Sequence, residues 1–257
     1  MTHRIELNWV DPRIAVVMFR DDQRRNQLCW AAVDELASTI DTARDSRARV
    51  VILASDLAGY WLYHAWLADL LAGLDGKRQT GTGIGWFKAQ EALGHPDIIS
   101  IAAISGATAG GGAELGWACD LRIAEVQATF AQPEVDLGLT TGIGGCSRLR
   151  QLAGRTLATE MVLTGEPQSA QRLFELGVIN RVVPTGQALS SAIELAGALA
   201  QKPAAATRGL KQILAAGDES FLADALAREQ AVFQEVVSTD DARNAMQAQQ
   251  ANYDAQD

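Results

Sequence analysis

Three runs of nearly all apolar residues limit most strongly how this chain can fold. They cover residues 13–20, 49–54 and 97–104. Strands that are apolar throughout, rather than at alternate positions, are typical of sheets with both faces buried. Residues 4–10 predict a further strand, joined to the first run by Asp11-Pro12, which suits a hairpin turn. Helical periodicity over residues 30–43 completes a β-β-α beginning and predicts an α/β core.

The later part of the chain is predicted to be mostly helical. From Gly142 onward, helical segments alternate with single glycines such as Gly154 and Gly165. The last predicted helices cover residues 186–200, 204–216, 219–237 and 240–250. We therefore divide the chain into an α/β core at residues 1–195 and a C-terminal helical region at residues 196–257.

Charge and composition narrow the possible partners. The chain has 22 lysines and arginines against 31 acidic residues, a net charge of −9, and its basic residues are scattered. A nucleic-acid partner is therefore not expected, and an anionic ligand would need a local basic pocket. No leader segment and no run of about 18 apolar residues can be read, so we predict a cytoplasmic protein without a membrane partner.

The cysteines and histidines do not form a metal site or a disulfide framework in the sequence. Cys29, Cys119 and Cys146 are far apart and odd in number, and only three histidines are present. We expect no metal, and three buried, unreactive thiols, since all three cysteines lie in apolar surroundings.

A glycine triplet offers a site for a negatively charged oxygen. Gly110, Gly111 and Gly112 follow an apolar strand and open a short helical segment. Backbone N–H groups at a helix N-terminus are free to bind an anion, and glycines allow a ligand to approach closely. A triplet alone is also compatible with a flexible turn.

Two glutamates accompany this triplet. Glu114 lies within one helical turn of the glycines, and Glu134 follows Pro133. Two carboxyl groups around one water can divide the roles of proton acceptor and proton donor, and crowding separates their pKa values. The alternative is structural: Glu114 favours the start of a helix, and Glu134 is solvated.

The motifs around these residues closely resemble the enoyl-CoA hydratase/isomerase (crotonase) family. The resemblance extends over most of the chain, and its motifs are GATAGGGAEL, ACDLRIA and ATFAQPEVDLGL, then LTGE, GVINRVVP and KPAAATRGLK. It implies a spiral of β-β-α units, with C-terminal helices that build trimers, often paired into hexamers. It also implies an acyl thioester substrate that carries coenzyme A, without a separate cofactor.

The resemblance assigns roles residue by residue. Glu114 and Glu134 match the two catalytic glutamates of the hydratases. Gly111 matches the oxyanion-hole glycine, and Gly142 matches the glycine whose N–H helps to hold the catalytic water. The second oxyanion N–H falls on His64 when counted without gaps, or on Ala65 after a shift of one residue.

The chain departs from the family pattern in the segment Leu62–Trp66, which replaces a small-residue stretch that normally seats the adenine. The aromatic residues there predict a substrate pocket lined by Trp61, Tyr63 and Trp66, although a lid helix packing its own aromatics explains them equally well. Basic residues that the family carries near its C-terminus for the cofactor phosphates are missing. Arg24 and Arg25 are possible replacements, or belong to a solvated turn.

Three functions follow as alternatives. The first is a hydratase that adds water to an enoyl thioester of coenzyme A. The second is a C–C hydrolase or lyase that cleaves a β-dicarbonyl compound, such as a cyclic diketone, without coenzyme A. The third is a non-catalytic assembly protein with the same fold, which the presence of both Glu114 and Glu134 disfavours.

Overall fold

The computed structural model describes residues 3–137 and 139–217. Its strands are β1 (Arg4–Asp11), β2 (Ile14–Arg20), β3 (Val50–Ser55), β4 (Ile99–Ile104), β5 (Thr108–Ala109), β6 (Leu121–Glu125), β7 (Thr129–Ala131), β8 (Gln168–Ser169) and β9 (Arg181–Val183). Its helices are α1 (Trp30–Asp45), α2 (Leu67–Leu74), α3 (Gly85–Gly94), α4 (Gly110–Ala118), α5 (Ser147–Thr164), α6 (Ala170–Glu175), α7 (Ala188–Ala200) and α8 (Ala204–Gly217), with a short 3₁₀ helix at Pro133–Leu137.

A six-stranded sheet forms the centre, with strand order β1-β2-β3-β4-β6-β9. β1 and β2 form an antiparallel pair, and all other neighbours in this sheet are parallel. A smaller sheet has the order β5-β7-β8. The predicted hairpin, first helix and third strand are confirmed, and so is the mixed α/β class.

The apolar runs are buried because helices cover both faces of the sheet. Alternate residues of a strand point to opposite faces, and Val17 and Leu53 lie in one core together with residues of α1 and α3. Val16 and Ile52 lie in a second core against α7. That helix contributes alanines at every fourth position, which lie on one helical face: Ala188, Ala192, Ala196 and Ala200.

The chain divides into two compact units, with the boundary between Ala200 and Gln201. The first unit contains both sheets and α1 to α7, and the second contains α8. The boundary expected after residue 195 lies inside α7, and the helices expected over 219–237 and 240–250 lie outside the described residues. Within the described part of the chain, no helix is both long and apolar enough to cross a membrane.

The cysteines differ from expectation at one position. Cys29 and Cys119 are buried, as predicted, whereas Cys146 is exposed. The expectation for Cys146 was wrong because this residue immediately precedes α5, at a position where the apolar neighbours in sequence do not enclose its side chain.

Candidate active site

The glycine triplet is closely packed, so the alternative of a flexible turn is wrong. Gly110 has a φ of +48° and begins α4. A Cβ on Gly110 would lie 3.1 Å from Glu134 Oε1 and 3.1 Å from His64 Cβ. A Cβ on Gly112 would lie 2.1 Å from the carbonyl oxygen of Tyr63. A side chain at Gly112 would therefore collide with the backbone just before His64, and one at Gly110 would press against Glu134 and His64.

Glu114 lies on α4 one turn after the triplet, and only 2% of it is exposed. Its Oε1 accepts hydrogen bonds from the backbone N–H groups of Ile143 (3.0 Å) and Gly145 (2.6 Å). The Gln90 side-chain amide donates to the Ile143 carbonyl and helps to hold this loop. Burial raises the pKa of Glu114, and the loop N–H groups oppose that rise because they favour the charged carboxylate.

Glu134 lies in the short 3₁₀ helix and is partly buried. Burial is the main cause that raises its pKa from 4.5 to about 7. The hydrogen bond from its own backbone N–H opposes this rise, and the nearby charge of Glu114 adds to it. The two carboxyl groups are thus near enough to interact, but only Glu114 receives backbone N–H groups from the 143–145 loop.

Gln132 belongs to this site, although no role was predicted for it from the sequence. It is fully buried beside Glu134. With its amide oriented to satisfy both neighbours, its nitrogen donates to Glu134 Oε1 (3.1 Å) and its oxygen accepts from Trp117 Nε1 (2.9 Å). Trp117 thereby orients the amide, and the amide orients Glu134. Its position directly before Pro133 was the available signal, but only the fold shows that its side chain is buried.

The segment before α2 brings His64 next to the glycines. Tyr63 donates its N–H to the Asn26 carbonyl and Trp66 donates to the Leu28 carbonyl, both at 2.9 Å. Within the described part of the chain, no hydrogen bond occupies the N–H groups of His64 and Ala65. Both therefore stay candidates for the second oxyanion donor. The His64 ring donates from Nδ1 to the Ala65 carbonyl (2.8 Å), because a carbonyl oxygen can only accept.

These groups line one cavity of about 820 Å³. Eight of the candidate site residues that the sequence singled out line it: Tyr63, His64, Ala65, Gly110, Gly111, Glu114, Glu134 and Gly142. Most of the other lining is apolar, and the sequence did not single it out: Trp30, Leu67, Leu70, Ile84, Trp86, Phe87, Leu137, Leu139 and Ile143. A cavity of this size, with polar groups concentrated at a few points, is typical of small-molecule sites.

Two of the three predicted aromatic pocket residues do not line this cavity. Trp61 is fully buried in the core, where its ring lies under α4, 3.3 Å from the position that a Cβ on Gly116 would take. Trp66 packs against the core, and the Arg24 guanidinium lies 5.2 Å from its ring centroid. Both assignments were wrong because neighbours in sequence point in different directions around the turn before α2. Only Tyr63 lines the cavity.

The Arg24 side chain is held by contacts within the protein. Its guanidinium forms an ion pair with the buried carboxylate of Asp21 at 3.0 Å, in addition to its contact with Trp66. Neither Arg24 nor Arg25 is among the described residues that line the cavity. The structure thus gives no support to either arginine as a replacement for the missing basic residues.

Known proteins resemble the chain over nearly its whole length. The sequence matches the enoyl-CoA hydratase/isomerase family over residues 11–256. It is 31% identical to a short-chain-enoyl-CoA hydratase from Clostridium acetobutylicum over 251 residues, which cover 95% of each chain. It is also 31% identical to the 2,3-dehydroadipyl-CoA hydratase of Escherichia coli K12, with 92% of this chain and 91% of that protein covered.

Solved structures agree with these sequence matches. The crystal structure of an enoyl-CoA hydratase from Bacillus anthracis superimposes with a TM-score of 0.86 at 28% identity and covers 96% of both chains. The crotonase-like α/β fold expected from the motifs is thereby confirmed. On the matched motifs, the length of the alignment and this shared architecture, the chain belongs to the enoyl-CoA hydratase/isomerase family.

Proposed function

We propose that the protein is a hydro-lyase that adds water across the α,β double bond of an enoyl thioester of coenzyme A, and that it also catalyses the reverse reaction. The observation that carries this proposal is the pair Glu114 and Glu134. They line one cavity beside the glycine turn, and their hydrogen bonding differs. A reaction that needs one proton acceptor and one proton donor around the same double bond requires such a pair.

The oxygen of the thioester carbonyl binds at the start of α4. The N–H of Gly111 and the N–H of His64 or Ala65 donate to it, and the helix dipole adds to the stabilisation. Negative charge develops on this oxygen when the β-carbon is attacked. Because the donors are held by the packed glycine turn, they need no reorganisation at that moment.

Glu114 acts as the base. The N–H groups of Ile143 and Gly145 favour its charged form, so it accepts a proton from water while the water oxygen bonds to the β-carbon. Gly142, which lines the same cavity, is proposed to hold this water by its N–H. The loop 142–145 would thus hold both the Glu114 carboxylate and the attacking water.

Glu134 acts as the acid. A carboxyl with a pKa of about 7 is still protonated in half of the molecules at neutral pH, so it can give its proton to the α-carbon as the enolate collapses. One proton goes to Glu114 and one leaves Glu134, so the substrate gains one water. The pair returns to its starting state by exchange of one proton with solvent.

The names of the relatives favour this reaction over the C–C hydrolase alternative. Both curated relatives described above carry hydratase names. The aromatic wall that the alternative needed around residues 60–66 is also reduced to Tyr63 at the cavity. We therefore retain hydration as the proposed activity, with coenzyme A as part of the substrate.

The test is loss of the conjugated absorbance of trans-2-hexenoyl-CoA on addition of the protein. Glu114→Gln and Glu134→Gln should each lower kcat by at least a factor of 100, since each removes a proton-transfer group. Glu166→Gln is the matched control, because Glu166 is exposed and is not among the residues that line the cavity. Wild-type protein that leaves crotonyl-, hexenoyl- and octenoyl-CoA unchanged would contradict the proposal.

We also propose that the protein assembles as a trimer, alone or paired into a hexamer. The support is family membership. Light scattering after size exclusion would give the mass, and a monomer of 27.4 kDa at micromolar concentration would contradict the assembly.

A further inference from the structure

We propose that this site accepts only acyl groups that are apolar along their whole length and rejects acyl chains that end in a carboxylate. This inference rests on the proposed function, because it specifies the acyl group of the same site. It concerns the acidic and apolar side chains that surround the acyl chain, and what they allow at the far end of that chain.

The ionisable side chains that line the cavity are acidic, with the exception of one histidine. Glu114, Glu134 and Asp136 are the acidic residues of its described lining, and no lysine or arginine is among them. His64 is the one basic side chain in that lining. It lies beside Gly110 at the reacting end, where its Nδ1–H is bonded to a backbone carbonyl. A carboxylate further along an acyl chain would therefore meet no cationic partner in this lining.

An apolar wall begins at the oxyanion glycine. The position of a Cβ on Gly111 is 2.7 Å from Cη2 of Trp86, so the indole lies next to the point where the acyl chain starts. Trp86 packs edge-to-face on Trp30, with ring centroids 6.2 Å apart. Both indoles are at most 9% exposed, and this burial fixes the wall in place. The same lining continues with aliphatic and aromatic side chains, among them Ile84 and Phe87.

The apolar wall and the acidic side chains both disfavour an acyl chain that ends in a carboxylate. A carboxylate placed against indole and aliphatic side chains loses its hydration without gaining a partner. It is repelled in addition by the acids of the lining, and this repulsion is stronger away from bulk water. An alkyl or planar conjugated chain has no such penalty, and each added methylene gains contact with the wall.

The E. coli relative makes the inference specific. Its name states that it hydrates 2,3-dehydroadipyl-CoA, whose six-carbon acyl chain ends in a carboxylate, and it is 31% identical to this chain. Identity at that level does not carry the acyl preference across. The acidic residues that line this cavity indicate that this protein prefers uncharged acyl groups.

The decisive experiment compares kcat/KM for trans-2-hexenoyl-CoA and 2,3-dehydroadipyl-CoA, which have the same six-carbon length and differ in the terminal carboxylate. We expect a preference of at least tenfold for hexenoyl-CoA. A smaller preference, or one for the dicarboxylic substrate, overturns the inference.

Two variants of one exposed lining residue test the cause of the preference. Phe87 is 62% exposed, so substitution there is tolerated without a cavity in the core. Phe87→Arg introduces the missing cation, and Phe87→Gln removes the ring without adding charge. We expect Phe87→Arg to reduce the preference at least threefold relative to Phe87→Gln. Equal preferences in the two variants would show that charge does not decide the selectivity.

Binding separates failure of this inference from failure of the proposed reaction. If hexenoyl-CoA is not hydrated, the proposed function fails, and the acyl preference is then tested by calorimetry with the saturated hexanoyl-CoA and adipyl-CoA. At least tenfold tighter binding of hexanoyl-CoA supports the inference. Equal binding, or binding of neither compound, overturns it.

Discussion

The carboxyl of Glu134 costs folding free energy at neutral pH, and its removal should stabilise the protein. In the folded protein its pKa is about 7, against 4.5 for an ordinary glutamate. The folded state therefore binds this proton more tightly than the unfolded state. Its contribution to stability is fully present below pH 4.5, declines as the pH rises, and is lost above about pH 7.

The size of the effect follows from the two pKa values. At 1.36 kcal/mol per pKa unit, the difference sets an upper limit of about 3 kcal/mol, because Glu134 is only partly buried and solvent screens part of the effect. Glu134→Gln keeps the shape of the side chain and removes the titration. Its unfolding free energy should equal that of the wild type near pH 4 and exceed it by up to about 3 kcal/mol at pH 8, although we expect its kcat to be at least 100-fold lower.

Urea unfolding at a series of pH values measures this difference. Both proteins are compared at one protein concentration, because association would shift the apparent stability. Glu166→Gln is the control and should parallel the wild type at every pH, since Glu166 is exposed. If the curves of wild type and Glu134→Gln stay parallel between pH 4 and pH 8, Glu134 is not the partly buried, proton-retaining group that we infer.

Three further predictions concern the same site. The kcat/KM for hydration should fall about tenfold between pH 6 and pH 8, because Glu134 must be protonated and its pKa is about 7; a flat profile in stopped-flow measurements would assign the proton to another group. Gly110→Ala should lower the activity and the melting temperature. It should reduce the free energy of unfolding by roughly 1–3 kcal/mol, because the φ of Gly110 is +48° and the added Cβ would contact Glu134. Gly142→Ala is the matched control for folding, since nothing lies within 4 Å of its added Cβ. Gln132→Ala should reduce the free energy of unfolding by about 1–3 kcal/mol, because it leaves the Trp117 indole N–H unpaired. It should also shift the pH–rate profile of hydration to higher pH, because Glu134 loses the amide that donates to it. An unchanged profile would show that Gln132 does not act on Glu134.

Several features of the protein follow from local sequence alone. The apolar runs at 13–20, 49–54 and 97–104 predicted buried strands, and they form β2, β3 and β4. A strand that is apolar on both sides has no stable place except between two layers, so its environment is encoded in its own residues. The glycine triplet and Glu114 were likewise recognisable because they are adjacent in the chain, and helix geometry fixes their mutual position.

Other features were decided only by tertiary contacts. Trp61 lies in the irregular segment before α2, and Trp86 lies at the start of α3. Neither local sequence shows which of the two indoles faces a cavity. The first is buried under α4, and the second lines the cavity against Gly111. Which indole lines the cavity depends on the elements packed around each one, because these tertiary contacts fix the direction of the side chain.

The different hydrogen bonding of the two glutamates is also a tertiary property. The N–H groups that reach Glu114 come from Ile143 and Gly145, about thirty residues later in the chain, while Gln132 places its amide against Glu134. The sequence supplied two carboxyl groups with similar intrinsic pKa values. The packed structure removed water from both and directed backbone donors of the loop to Glu114, because desolvation and hydrogen bonding depend on neighbours in space and not on neighbours in sequence.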